Sequence, residues 1–246
     1  RSLAEREMRA RYKQTYLGIA WALINPFLMM VVFTLFFKKV AKVDTHETPY
    51  TLFAYLGLLP WSLFSTSMSQ GGSSLVANVP LLNKVYCPRE VFPLASVCLA
   101  IVDTAIAFTA LVVLFVIEGF SPRGTSVYVP LLLAVQLAFT VGAVLITSSV
   151  VVYLRDLRTT LPLILQLGLF ATPVAYGVDS IPRSLRSAHA VVNPLASVID
   201  GYRRTVLYGQ APNWHLFGLS AAMAAFVLLV GYWLFKRLEG GIADVA

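Results

Sequence analysis

The sequence predicts an all-α integral membrane protein with six transmembrane helices, and three observations carry that expectation. Hydrophobic residues fill 58% of the 246 positions and charged residues only 13%, about half the charged share of a soluble domain. Uncharged apolar runs of spanning length recur along the chain, divided by short charged connections. The formal net charge of +7 is dispersed between those runs, and without a basic face a nucleic-acid binder is excluded.

The N-terminal arm comes first. Ala4, Met8 and Tyr12 recur at helical spacing while Arg6, Arg9 and Lys13 take another face, which predicts an amphipathic helix lying at the headgroup boundary. It reads equally as a positive-inside anchor and as an element that gates lipid entry. Gln14 to Phe37 follows as 24 residues without a formal charge, about 36 Å as a helix, and gives the first span. The run has full spanning length and no small-residue cleavage site, so a span is expected rather than a signal peptide. The chain starts at Arg1 and not Met, and a short upstream piece is expected to be missing.

Thr48 to Asn83 is uncharged over 36 residues. Its second span is placed over about 50–77, with a loosening or kink expected where Ser69, Gln70, Gly71, Gly72, Ser73 and Ser74 interrupt the apolar pattern. The third span covers 91–117 and contains Asp103, the fourth 126–153, the fifth 159–177 with Pro162 and Pro173, and the sixth 214–235. Such a count leaves no room for a second folded unit, so 1–246 is read as one membrane domain. An even number of spans puts both termini on one side. That side holds eleven Lys and Arg against eight on the other, with five of the eleven before the first span, which places both termini in the cytoplasm.

Two connections are unusual. Asn78 to Pro93 mixes leucines with Asn83, Lys84, Arg89 and Glu90 between three prolines. From pattern alone it is either an interfacial loop or a short amphipathic helix offered to a soluble partner. Asp179 to Asn213 contains the apolar run Ala188 to Ile199, too short to cross and too apolar for water, so it either dips into the outer leaflet or lies on it. Asp103 is read as a helix staple or a proton relay. Cys87 and Cys98 support neither a disulfide framework nor a zinc site, and His46, His189 and His215 are scattered.

Arg11 to Pro26, Leu59-Pro-Trp-Ser-Leu-Phe-Ser65, Asn78 to Pro93, and Asn193-Pro-Leu195 with Tyr202-Arg203 together resemble the permease subunits of ABC transporters that export polysaccharides. The likeness runs in order over nearly the whole chain. It implies a homodimer joined to two separate nucleotide-binding ATPase subunits in the bacterial inner (plasma) membrane. ATP and Mg would sit on those partners, and this chain would bind no cofactor. Its cargo would be an undecaprenyl-type lipid-linked glycan: O antigen, capsular polysaccharide or teichoic acid. Related permeases move smaller lipids or drugs, which is the alternative.

The same resemblance makes the segment with Asn83, Lys84, Val85, Tyr86, Arg89 and Glu90 a cytoplasmic coupling helix, and the turn at Arg155 and Asp156 a second ATPase contact. It also makes the Asp179–Asn213 connection a pair of re-entrant helices forming an external gate, with Asn193, Pro194 and Tyr202. The chain has no Gly-Lys pair, hence no phosphate loop of its own, so energy comes from another chain or a gradient. This is not the sequence of an enzyme.

Sugars passing through a membrane are held weakly by aromatic faces. Tyr16, Trp21, Phe27 and Phe33 in the first span, with Phe170 and Tyr176 in the fifth, are the candidates. Packing against lipid is the competing reading for each. A lipid pyrophosphate needs cations, for which Arg11 and Lys13 are placed at the cytoplasmic side and Arg203 and Arg204 at the far side. Binding of bulk anionic lipid is the alternative. A proton-coupled carrier and a membrane enzyme acting on lipid-linked sugars are the rival functions. The first rests on Asp103 alone, and the second lacks a DxD or HExxH motif.

Overall fold

A computed structural model describes residues 20–38, 48–79 and 88–241. All regular structure among them is helical. Helix α1 (Ala20–Phe33) continues into a π-helical turn over Thr34–Lys38, and α2 covers Tyr50–Ala77. Helices α3 (Val91–Ile117), α4 (Val129–Tyr153) and α5 (Asp156–Ala171) follow. The short α6 (Arg183–Val192) and α7 (Pro194–Val206) precede α8 (Trp214–Leu238). Segments Val91–Ile117, Gly124–Tyr153 and Trp214–Leu238 are each long and apolar enough to cross a membrane.

Helix α2 is the hub. Leu52 to Trp61 is buried on every side, as expected of a helix that is apolar all round, and α1, α3, α4 and α7 pack on it. The expected loosening at Ser69–Ser74 is not found, because α2 runs unbroken to Ala77. The polar side chains bond within the helix, with Ser67 Oγ donating to Leu63 O at 2.7 Å and Ser74 Oγ to Gly71 O at 2.7 Å. Gly71 and Gly72 meet Val144 and Thr147 of α4 closely, so these small residues permit packing rather than a bend.

The fifth helix is shorter than expected. It ends at Ala171, about 24 Å from its start at 1.5 Å per residue, because Pro173 forces the preceding residue out of the helix. Thr172 has φ −88° and ψ 138°.

The tightest helix pair is α4 with α8. A Cβ on Gly142 would lie 2.6 Å from Leu228 Cα, and one on Gly231 would collide with the Gly142 carbonyl. Backbone therefore touches backbone here. A second tie joins α2, α4 and α7: the buried Gln136 donates from Nε2 to Pro60 O at 2.9 Å and accepts from Tyr202 Oη at 3.0 Å. Gln136→Leu leaves the buried Tyr202 hydroxyl unpaired and removes the second bond to Pro60 O, and is expected to cost about 1–3 kcal/mol. A lowered melting temperature in detergent checks this; an unchanged one would mean the tie contributes nothing.

The helix ends gather at two poles. Tyr50 Oη reaches Ala175 O at 2.9 Å and Thr51 Oγ1 reaches Glu118, so the start of α2 meets the ends of α3 and α5. At the opposite pole Lys236 Nζ reaches Glu90 Oε1 at 3.0 Å, and Tyr153 Oη reaches Leu238 O at 3.0 Å. The long helices accordingly alternate in direction.

Candidate functional site: a polar groove between α2 and α5

An open groove of about 340 Å³ lies between α2 and α5, walled by Trp61, Ser65, Thr66, Ser69 and Gln70 on one side and Pro162, Leu165, Gln166 and Leu169 on the other. Helical spacing explains both walls. Residues 61, 65 and 69 rise along one face of α2 while 162, 165, 166 and 169 do so on α5. Gly168 makes room for the indole of Trp61, since a Cβ there would come within 3.0 Å of the ring.

The lining carries hydroxyls, amides and one aromatic edge, and no charge. Thr66, Ser69 and Gln166 make no side-chain hydrogen bond among the described residues, and Ser69 and Gln166 are exposed. Exposed polar groups on largely apolar helices need water, another chain or a polar ligand. A neutral surface of this kind holds polyhydroxylated molecules by many weak bonds without trapping ions. Among the described residues no group of His, Cys, Asp and Glu is placed to hold a metal.

None of the foreseen aromatics is among the residues that line the groove. Phe170 on α5 is 56% exposed and Phe27 on α1 is 44% exposed, so both remain open to a ligand, lipid or another chain. Phe33 is a correction: at 4% exposure it belongs to the core. Tyr176 is corrected in part, because its hydroxyl is used within the fold, donating to Phe170 O at 3.0 Å. Tyr16, Arg11 and Lys13, the coupling residues Asn83, Lys84, Val85 and Tyr86, and the side chain of Trp21 lie outside the described residues.

The cations expected at the far pole are also placed differently. Arg203 is 1% exposed, with its guanidinium 3.6 Å from the centroid of the Phe53 ring and bonded to backbone carbonyls, so it does not face a headgroup. Arg204 is half-buried and donates from Nε to Ala211 O at 3.1 Å. Of the gate residues, Asn193 Nδ2 donates to Thr172 Oγ1 at 2.8 Å, Pro194 is buried at the start of α7, and Tyr202 is tied to Gln136. These are packed joints rather than free surfaces. Asp103 is half-buried on α3 and has a partner.

At the opposite pole Arg155 and Asp156 are exposed at the turn entering α5. Arg89 and Glu90 stand half-buried where α3 begins. Lys236 bridges Glu90 and Glu239, at 3.0 and 3.1 Å. Burial pushes the Glu90 carboxyl up, but a backbone hydrogen bond and Lys236 outweigh it and hold it below the usual range.

Sequence reasoning missed Ser65, Thr66, Gln70 and Gln166 as groove residues. The signal was present in the polar run at Ser69–Ser74 and in Gln166, the one amide in an otherwise apolar stretch from Leu161 to Ala171.

The profile of a family described as ABC-2 type transporter matches residues 1–207. An O-antigen export system permease protein RfbA of Myxococcus xanthus is 32% identical over 244 residues, covering 99% of this chain and 93% of that protein. One from Klebsiella pneumoniae is 29% identical over 244 residues, with the same coverage of 99% and 93%. The polysialic acid transport protein KpsM of Escherichia coli is 23% identical over 239 residues, covering 95% and 91%.

Proposed function

Since this chain belongs to the ABC-2 type transporter family, we propose that it is the transmembrane subunit of an ATP-driven exporter that moves lipid-linked polysaccharide out of the cytoplasm. The observation that carries this reading is the uncharged, hydroxyl- and amide-lined groove between α2 and α5. A neutral glycan presents dense hydroxyls and no charge, and the groove offers their complement. Relatives named for O-antigen export, together with one named for polysialic acid transport, support a polysaccharide cargo.

In the full reading, two copies of the chain stand in the bacterial inner membrane with six crossings each and cytoplasmic termini. Two ATPase subunits, holding ATP and Mg, bind beneath them. Closure of the ATPases reaches the membrane through the Asn83–Glu90 segment and the Arg155–Asp156 turn, biasing the permease between two states. The exposure of Arg155 and Asp156 supports this. So does the network that fastens Glu90 to the last turn of α8, because movement at the coupling segment is then shared with the α4–α8 pair. Helices α6 and α7 act as re-entrant elements at the exit, and the cargo's carrier is an undecaprenyl-type lipid.

The test is co-purification with an ATPase subunit in mild detergent, followed by ATP hydrolysis with and without lipid-linked glycans. A stable complex whose turnover rises with glycan is expected; a chain that purifies alone contradicts the reading. Within that complex, Lys84→Glu or Arg89→Glu is expected to lower glycan export about tenfold while ATP hydrolysis and folding persist. Normal export in both variants would remove the coupling assignment.

A further inference from the structure

Helix α5 gives way to irregular backbone from Thr172 to Tyr176, and every carbonyl from Phe170 to Tyr176 is satisfied. Tyr176 Oη donates to Phe170 O at 3.0 Å, and His189 Nε2 lies 3.2 Å from Ala171 O, which it satisfies when that nitrogen carries the proton. Thr172 O accepts from Val174 N at 2.7 Å, and Ala175 O from Tyr50 Oη at 2.9 Å. The remaining three belong to one side chain. Arg203 donates from Nη1 to Pro173 O at 2.8 Å and to Tyr176 O at 3.0 Å, and from Nη2 to Val174 O. Its Nε donates to Phe53 O of α2 at 3.2 Å.

Elsewhere α5 is held thinly. Leu161, Leu165 and Leu169 form its one buried stripe, while Leu163, Ile164 and Leu167 are more than half exposed. Leu161 and Leu165 pack with Met68 of α2, and a dense set of polar attachments to α2 and α7 lies at its end. We propose that Arg203 is a positioning residue of the groove: its guanidinium clamps the 173–176 backbone to α2 and α7 and so fixes how far α5 stands from α2. The clamp is built into α2 as well. A Cβ on Gly57 would collide with the guanidinium, so that glycine is the notch through which Arg203 reaches the three carbonyls. A planar fork of five donors suits the task, and a lysine, with three donors at one point, cannot span the same acceptors. Burying the cation among carbonyls and against the Phe53 ring is costly unless its donors are met, and four of its five N–H groups meet backbone carbonyls.

The clamp's part in transport rests on the export reading, but its test does not. The full chain, with Cys87 and Cys98 changed to Ser, is spin-labelled at Ser69→Cys and Gln166→Cys, diluted with unlabelled chain and placed in lipid nanodiscs. Pulsed electron paramagnetic resonance then reads the α2–α5 distance. A single narrow distribution is expected with Arg203, and one at least about twice as wide in Arg203→Lys, at unchanged helix content. A width equal to that of the parent would overturn the proposal. If Arg203→Lys fails to fold, Gly57→Ala displaces the guanidinium without removing it, and an unchanged width there overturns the proposal equally. No cargo enters the measurement, so absence of glycan export in the parent protein would count against the export reading and leave the clamp standing.

Discussion

Gly142→Leu is expected to destabilise the fold strongly. The substitution drives a side chain into Leu228 backbone, with the Cβ alone 2.6 Å from its Cα, and backbone cannot swing aside as a rotamer can. Helices α4 and α8 would have to separate along a contact where backbone touches backbone. A cost of about 3 kcal/mol, at the upper end for overpacking, is expected, against a total stability of about 5–15 kcal/mol for an ordinary domain. Gly218→Leu supplies the control on the same α8, because nothing lies within 4 Å of a Cβ there. Thermal unfolding in detergent distinguishes them: Gly142→Leu far below the parent, Gly218→Leu close to it. Equal stabilities would mean that the α4–α8 contact does not hold the fold together.

The second large effect is functional. Ser69→Trp puts an indole into the groove of about 340 Å³ from an exposed position, so it should obstruct a glycan while costing little stability. Export by the assembled transporter is expected to fall at least about tenfold. Leu163→Trp, on the exposed outer face of α5, adds the same bulk away from the groove and should export normally. If both variants export alike, the path is not between α2 and α5.

Much of the fold was legible because the spans are bounded by charges. Val91–Ile117 and Tyr50–Ala77 were placed to the residue, and α8 to within a few residues at its end, since Lys84, Arg89, Lys236 and Arg237 leave little freedom. The fifth helix was overextended because apolar composition continues past Ala171, whereas the backbone obeys Pro173.

The site was less legible, for a different reason. Charge and aromaticity are visible in a sequence, but whether a group is spent inside the fold is not. Arg203 looked like a headgroup cation and Tyr176 like a sugar platform; both have their polar atoms committed to the end of α5. Conversely Ser69 was read as part of a kink, Ser65 only as the end of a family motif, and Gln166 was not singled out; only the pairing of α2 with α5 turns them into a surface.

Placing a photo-reactive amino acid at Ser69 or Gln166 and illuminating the transporter during export tests that surface most directly. The account predicts glycan covalently attached at both positions and none at Val113, which is exposed on the outer face of α3. Glycan captured at Val113 but not at Ser69 or Gln166 would contradict it.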